Sequence, residues 1–149
     1  MWSGSEWTGG AVRWRLPLQA ASGAEPQPII IVDDDPGALN SLRFLLESEG
    51  YSVQAFHGGP ELLADLPLIE PACVIIDFKM PVMDGIAVFQ RLRELNVAAP
   101  VILVTGHPDP KIATRAEAAG LALIEKPLSQ DMLLSAVRNA RTRHIGISP

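Results

Sequence analysis

The sequence predicts a three-layer α/β sandwich, in which a five-stranded parallel sheet is covered by helices on both faces. Short apolar runs alternate five times with helix-forming segments between residues 29 and 143. Most of these runs are too short for helices and lack polar alternation, which is typical of strands buried on both faces of a parallel sheet. Right-handed crossovers between such strands place the helices in two outer layers.

Composition excludes several classes of protein. The chain has 149 residues, 48% of them hydrophobic, which suits one domain with a real core and argues against global disorder. The single cysteine, Cys73, excludes a disulfide framework and a cysteine-ligated zinc site. No apolar run approaches 18 residues, so a membrane span is excluded. A net charge of −5 argues weakly against nucleic-acid binding.

Residues 1–28 are interpreted as a flexible leader ahead of the domain. Turn and breaker residues dominate this segment, with no sustained period of 2 or 3.6. The apolar stretch near its middle is too short for a signal peptide and contains Pro17, so we expect a cytoplasmic protein. A docking segment is the alternative interpretation, because all three tryptophans of the chain lie here: Trp2, Trp7 and Trp14.

The first two strand–helix units begin at residue 29. The β-branched run Ile29–Val32 predicts a buried strand, and Asp35-Pro36 predicts the N-cap and first position of a helix. That helix ends at Gly50, and its apolar side carries Leu39, Leu42, Leu45 and Leu46. The second strand alternates through Tyr51, Val53 and Ala55. After a break at residues 57–60, a short helix carries Leu62, Leu63 and Leu66.

The remaining three units repeat the pattern. Residues 73–76 predict a third strand that runs into Asp77, and residues 101–104 predict the fourth. The helix between them is marked by Ile86, Phe89 and Leu92, with Val88 and Leu95 adding to it. A helix over residues 110–119, capped by Gly120, precedes a fifth strand over residues 121–124. Ser129 is predicted to cap the last helix, whose apolar side carries Leu133, Leu134 and Val137.

Polar side chains stand at the carboxyl ends of four of these strands. Asp33 and Asp34 follow the first strand, and Asp77 follows the third. Thr105 ends the fourth strand, and Lys126 follows the fifth. Ligands of open α/β sheets bind at this edge. Three carboxylates, a hydroxyl and a lysine are therefore expected to converge there.

Such a cluster of carboxylates calls for a cation. At an effective dielectric near 20, one pair of like charges 4 Å apart costs roughly 4 kcal/mol, unless a cation or a raised pKa relieves it. Hard oxygen ligands favour Mg²⁺. Lys126 and Thr105 suit a phosphoryl group, and a carboxylate can act as the nucleophile. Taken singly, residues 33–35 are explained as a capping cluster and Asp84-Gly85 as a helix start; their joint placement favours a site.

Four motifs stand in order at these strand ends: residues 32–35 (VDDD), 76–85 (IDFKMPVMDG), 104–107 (VTGH) and 125–127 (EKP). Together they closely resemble the receiver domain of response regulators in bacterial two-component systems, and look most like the FixJ group. The resemblance covers about residues 29–143, which leaves a C-terminal tail at 144–149. It implies a flavodoxin-like (βα)5 fold with the strand order 2-1-3-4-5.

The resemblance also implies a role for each matching residue. Asp77 would accept a phosphoryl group from a sensor histidine kinase or a phosphotransfer protein, and Lys126 and Thr105 would contact its oxygens. Asp35 would cap the first helix instead of joining the site. Mg²⁺ would be held by Asp33, Asp34, Asp77 and the main-chain carbonyl of Lys79. The residues implied to shape the surrounding loops, the last after a cis peptide bond, are Pro81, Gly85 and Pro127.

Leu123 departs from the family pattern, which has an aromatic residue three positions before the lysine. We expect phosphorylation to survive this change, with a weaker or differently routed coupling from Thr105 to the surface. Lys79 and His107 lie two residues beyond Asp77 and Thr105, where the family tunes hydrolysis of the phosphoryl group.

The predicted function is a phosphorylation-dependent signalling switch that needs Mg²⁺ and is no turnover enzyme. One alternative, favoured by Leu123, is a binding module that signals without phosphate. The other alternative is a Mg²⁺-dependent hydrolase. Against it, Lys79 stands at the position where such an enzyme needs a second acid. Since few residues follow the last helix, we expect no direct DNA binding by this chain. The output partner and dimerisation on phosphorylation stay open.

Overall fold

The computed structural model describes residues 6–8, 11–13, 27–66, 70–107 and 109–146. Its elements alternate regularly from residue 29 onward. In chain order they are β1 (Glu6–Thr8), β2 (Ala11–Arg13), β3 (Ile29–Val32), α1 (Pro36–Ser48), β4 (Val53–Phe56), α2 (Gly59–Asp65), β5 (Cys73–Asp77), α3 (Gly85–Glu94), β6 (Val101–Thr105), α4 (Pro110–Ala119), β7 (Ala122–Glu125) and α5 (Gln130–Gly146).

Strands β3 to β7 form one parallel sheet in the order β4-β3-β5-β6-β7. Counted from β3, this is the order 2-1-3-4-5, so the predicted fold class is confirmed. The register pairs Val32 with Ile76, Asp77 with Val104, and Thr105 with Glu125. The carboxyl ends of β3, β5, β6 and β7 therefore finish close to the same level of the sheet.

Two apolar clusters fill the space on either side of the sheet. One contains residues of α2, α3 and α4, among them Leu62, Phe89 and Ile112. The other contains residues of α1 and α5, among them Leu46 and Leu133. Because the strands pack against helices on both faces, β3, β5 and β6 are buried along their whole length. The predicted three-layer arrangement is confirmed.

Local signals placed most element boundaries within one or two residues. The side chains of Asp35 and Ser129 accept backbone hydrogen bonds at the starts of α1 and α5, as predicted. Gly120 ends α4 in the left-handed conformation. Strand β7 begins one residue later than expected, and Tyr51 precedes β4 without belonging to it. Leu95 was expected on the apolar side of α3 but is its C-cap, where the side chain turns outward and is 45% exposed.

The segment interpreted as a leader contains structure that the sequence reading missed. Strands β1 and β2 pair antiparallel, with Trp7 opposite Val12. Two glycines lie between them in the sequence, which is a hairpin signal as well as a breaker signal. The docking interpretation of Trp2 and Trp14 concerns residues outside the described ranges. Within those ranges, no helix is both long and apolar enough to cross a membrane.

The C-terminal boundary also differs slightly from the expectation. Helix α5 continues to Gly146, into the segment expected to be a tail. Residues 147–149 of that tail lie outside the described ranges. The division into leader, domain and tail stays a prediction.

Gly85 is a position at which the fold has no room for a side chain. A Cβ atom there would lie 2.5 Å from Leu103 Cδ1 and 2.8 Å from the backbone oxygen of Asp77. We expect Gly85→Ala to destabilise the fold by about 1–3 kcal/mol, because overpacking forces the sheet and the loop apart. Urea unfolding followed by circular dichroism measures this.

Gly37 provides the matched control for this substitution. In the first turn of α1 it is exposed, and its added Cβ atom would meet nothing closer than 3.5 Å. Gly37→Ala should be neutral or stabilising by up to about 1 kcal/mol, since alanine loses less conformational freedom on folding. Equal destabilisation by both variants would contradict the close approach at Gly85.

Candidate functional site

Three aspartates meet at the carboxyl edge of the sheet. Asp33 and Asp34 follow β3, and Asp77 is the last residue of β5. Each offers one carboxylate oxygen that lies within 4.8 Å of the other two. The side chains of Asp33 and Asp77 are buried, whereas Asp34 is exposed. The neighbouring parallel strands bring these residues together, and the oxygen cluster could hold a metal ion.

Asp35 is not part of the cluster. Its carboxylate accepts a hydrogen bond from Gly37 N at 3.0 Å and caps α1. Its own backbone N–H donates to Asp33 Oδ1, also at 3.0 Å. The cap therefore fixes the orientation of the Asp33 carboxylate, and the run of three acids divides into two site residues and one structural residue.

Lys126 supplies a cation to the acid cluster. Its Nζ lies 3.1 Å from Asp77 Oδ1 and 3.6 Å from Asp33 Oδ2. Its backbone N–H donates to Thr105 O at 2.8 Å, which extends the pairing of β6 and β7 by one residue. The Lys126–Pro127 peptide bond is cis, as the resemblance implies. The lysine is half-buried, so its charge acts in a partly water-excluded space.

The carboxylate of Asp77 has a raised pKa. Burial is the largest cause, and the charges of Asp33 and Asp34 add to it, while the hydrogen bond and charge of Lys126 act against it. For Lys126, burial lowers the pKa, but the hydrogen bond and charge of Asp77, together with Asp33, raise it overall. A positive charge added among these carboxylates would favour the ionised form of Asp77.

Thr105 reaches the same edge from the end of β6. It is buried, and its hydroxyl both donates to His107 O and accepts from His107 N, each at 3.2 Å. The imidazole of His107 is on the exposed side of this turn. The hydroxyl is therefore held by its own loop.

The loop after Asp77 is fixed at both ends by backbone hydrogen bonds. Phe78 donates to Val104 O at 2.7 Å and accepts from Gly85 N at 2.8 Å. Pro81 O accepts from Met83 N, at 2.8 Å, within the loop. Asp84 caps α3 by accepting from Ala87 N, also at 2.8 Å. Lys79, two residues beyond Asp77, is exposed, and its carbonyl belongs to this fixed loop.

Leu123 lies on the face of the sheet that also carries Thr105. It pairs with Leu103 in β6, one alternation before Thr105 pairs with Glu125. Its side chain is half-buried and packs against the cluster that contains α4. Leu123 thus contributes to the apolar packing on the face of the sheet that carries Thr105.

One contact near the site was missed by sequence reasoning. Arg115 of α4 lies 3.8 Å from Asp84 Oδ2, and its guanidinium is 5.9 Å from the centre of the Phe78 ring. No local pattern in the sequence pointed to this pairing, because the partners belong to different strand–helix units.

The space beside the acid cluster is small. A cavity of about 50 Å³ is lined by Asp33, Asp77 and Lys126 together with apolar residues of the sheet and of α1. Pockets that bury organic ligands usually measure about 300–1,000 Å³. This cavity has room for a few small groups beside the two buried carboxylates.

Comparisons with known proteins agree with this geometry. The family model of the response regulator receiver domain matches residues 29–138. The transcriptional regulatory protein FixJ of Bradyrhizobium diazoefficiens is 34% identical over 113 residues, which are 75% of this chain and 55% of that protein. The tetrathionate response regulatory protein TtrR of Salmonella typhimurium is 35% identical over 76% of this chain and 56% of that protein. The chain spans about half the length of the curated relatives it matches.

Solved structures show the same fold. A CheY-like receiver domain protein from Methanospirillum hungatei has a TM-score of 0.78 and 28% identity, over 83% of this chain and all of that one. The crystal structure named FixJ-N has a TM-score of 0.73 and 30% identity, over 78% of this chain and 94% of that one. With its parallel sheet, its edge of aspartates and a family model that spans residues 29–138, the chain belongs to the response regulator receiver domains.

Proposed function

We propose that this chain is a phosphorylation-dependent switch whose phosphoacceptor is Asp77. The proposal rests chiefly on one observation: the Asp77 carboxylate lies beside two further carboxylates and only 3.1 Å from the ammonium of Lys126. An acceptor needs a carboxylate that can approach phosphorus and a cation that can take over the charge of the phosphoryl oxygens. The donor we propose is a sensor histidine kinase or a phosphotransfer protein.

Mg²⁺ fits the residues at this edge, because the cluster offers hard oxygen ligands only and carries excess negative charge. Asp33, Asp34 and Asp77 would hold the ion, together with the carbonyl of Lys79. When bound, the ion supplies charge neutralisation for the phosphoryl oxygens. The exposed Asp34 leaves a path for the ion from solvent.

In the transfer, an Asp77 carboxylate oxygen forms a bond to phosphorus while the bond from phosphorus to the donor's imidazole nitrogen breaks. Lys126 pairs with the phosphoryl oxygens in place of the Asp77 carboxylate. Thr105 donates its hydroxyl proton to one of these oxygens, which requires that it release His107 O, because a hydroxyl has one proton to donate. The fixed loop from Phe78 to Gly85 holds the acceptor in line.

Two alternatives from the sequence are disfavoured by particular observations. A Mg²⁺-dependent hydrolase would need a second acid two residues after the nucleophile, where this chain has Lys79. A phosphate-independent binding module is less well supported, because the three aspartates, Thr105 and Lys126 all stand at one edge of the sheet. The tuning roles of Lys79 and His107 remain proposals, supported by the exposure of both side chains beside the acceptor edge. The chain has a single cysteine, the buried Cys73, and so cannot form an internal disulfide, which suits the cytoplasmic location that we propose.

Incubation with acetyl phosphate and Mg²⁺ should add one phosphoryl group to the protein, as measured by intact mass. Asp77→Asn should show no gain, and chelation of the metal should abolish the gain in the parent. Lys126→Ala should slow the reaction by about a hundredfold, since it removes a preorganised charge from the transferring group. Lys111→Ala, which alters an exposed lysine of α4, is the control and should react like the parent. A phosphoryl gain in Asp77→Asn equal to that of the parent would contradict the assignment.

In the absence of metal, Asp77→Asn should stabilise the fold at neutral pH by on the order of 1 kcal/mol, a usual size for single substitutions. The raised pKa of Asp77 means that the ionised group is less favourable in the folded than in the unfolded chain. As the pH falls through this raised pKa, the folded parent takes up a proton and the difference in unfolding free energy shrinks.

Chemical denaturation of the parent and of Asp77→Asn, from neutral pH down through the raised pKa of Asp77, measures the difference in unfolding free energy. Glu70→Gln, which neutralises an exposed carboxylate away from the cluster, is the control and should show a much smaller change. A difference that grows as the pH falls would contradict the sign of the pKa shift.

Binding of beryllofluoride, which mimics the phosphoryl group, should shift backbone resonances of residues 105–112 more than those of Ala122–Glu125. Leu123 packs into the core and has no ring to follow the threonine. Leu123→Tyr, which restores the aromatic residue of the family, should enlarge the shifts along β7. Large shifts along β7 in the parent would contradict the rerouted coupling.

A further inference from the structure

Arg115 joins helix α4 to the loop that follows the phosphoacceptor. Its guanidinium pairs with Asp84 Oδ2 at 3.8 Å and lies 5.9 Å from the centre of the Phe78 ring. Phe78 is the residue directly after Asp77, and Asp84 is the residue directly before α3. One side chain of α4 therefore contacts both ends of the loop.

The partners of Arg115 are themselves fixed, so they can serve as an anchor. The second carboxylate oxygen of Asp84 accepts from Ala87 N at 2.8 Å, which caps α3. Phe78 is bonded through its backbone to Val104 O and Gly85 N. The loop is thus hydrogen-bonded to β6 and to the start of α3. The contact with Arg115 therefore restrains α4 more than it displaces the loop.

Helix α4 is weakly anchored by its own packing. It buries Ile112 and Ala116 among its ten residues, whereas α3 buries five of ten. Because α4 buries little apolar surface, a modest polar contact can shift the equilibrium between its positions.

The N-terminal end of α4 is connected to Thr105. The hydroxyl of Thr105 is bonded twice to His107, and Asp109 caps the helix by accepting from Lys111 N at 2.9 Å. When Thr105 turns to a phosphoryl oxygen, its donor bond to His107 O is lost, which loosens the loop ahead of the helix. Phosphorylation would then free the N-terminal end of α4 while Arg115 still holds its middle.

We propose that Arg115 is a latch that holds α4 against the phosphoacceptor loop in the unphosphorylated protein and opposes the movement that phosphorylation favours. This inference rests on the proposed switch at Asp77. The latch sets how much of the unphosphorylated protein already has α4 released. It acts through the position of the helix and does not touch the phosphoryl group.

Two variants that change the net charge in opposite directions distinguish the latch from a general effect of net charge on α4. Arg115→Ala removes a positive charge, and Asp84→Asn removes a negative charge while keeping a residue that caps helices as well as aspartate does. The latch predicts that both variants speed amide hydrogen exchange over residues 109–119 by roughly two- to fivefold, the range for an exposed ion pair with a cation–π contact. Residues 36–48 of α1 should exchange at the parental rate. The measurement uses unphosphorylated protein, so its result does not depend on whether Asp77 accepts a phosphoryl group.

Arg91→Ala is the matched control. The Arg91 side chain is 50% exposed and pairs with Glu94 on α3, while that of Arg115 is 51% exposed, so the two substitutions remove the same charge from similar surroundings. This control should leave exchange over α4 unchanged. No change in Arg115→Ala, or opposite changes in Arg115→Ala and Asp84→Asn, would overturn the latch.

The rate of phosphorylation by acetyl phosphate tests the regulatory part. Both latch variants should react faster than the parent by the same factor as their exchange increases, since more molecules have α4 released beforehand. Faster exchange with an unchanged rate would overturn the coupling of α4 to the acceptor. If the parent itself takes up no phosphate, the proposed function fails, and the exchange data still decide whether Arg115 holds the helix.

Discussion

Repulsion among three carboxylates is the constraint around which the carboxyl edge of the sheet is built. Asp33 and Asp77 are 7% and 8% exposed, so water screens their charges poorly. The strands that carry them, β3 and β5, are hydrogen-bonded on both sides and packed on both faces, and they cannot separate to relieve the repulsion. Lys126 offsets part of it, and its two contacts leave the cluster still favouring an added cation. The apolar core thereby keeps the three carboxylates together, which is the arrangement on which the proposed Mg²⁺ site depends.

The loop after Asp77 fixes the position of this residue within the acidic cluster. Gly85 lies so close to the Asp77 backbone that any side chain would displace it, and Asp84 begins α3 at the same point. The start of a well-packed helix therefore sets the position of the Asp77 backbone. In the proposed switch, this fixed loop supplies the alignment that phosphoryl transfer requires.

Thr105 stands at the same sheet edge as the aspartate cluster and precedes α4, which buries fewer of its residues than α3 does. Its hydroxyl is engaged with its own loop, and α4, which follows that loop, buries little apolar surface. Leu123 is half-buried and packs against the apolar cluster that contains residues of α4, and the proposed coupling therefore runs through the loop backbone and the contacts of α4. Arg115 adds a polar contact where hydrophobic packing is weak. Apolar packing thus holds α3 more firmly than α4, and in the proposed switch α4 is the helix that moves.

The sequence by itself determined the fold class, the strand order through family resemblance, and the residues at the strand ends. It could do so because burial on both faces selects apolar runs, caps select Asp35 and Ser129, and parallel strands finish at one edge. The strand pair at residues 6–13 escaped because its glycines were interpreted only as breakers. Tertiary structure alone decided that Asp34 is exposed while Asp33 is buried, that Leu95 faces outward, and that Arg115 meets Asp84. Such outcomes depend on distances between units far apart in the chain, and local periodicity, which reports only what neighbouring residues share, carries no information about them.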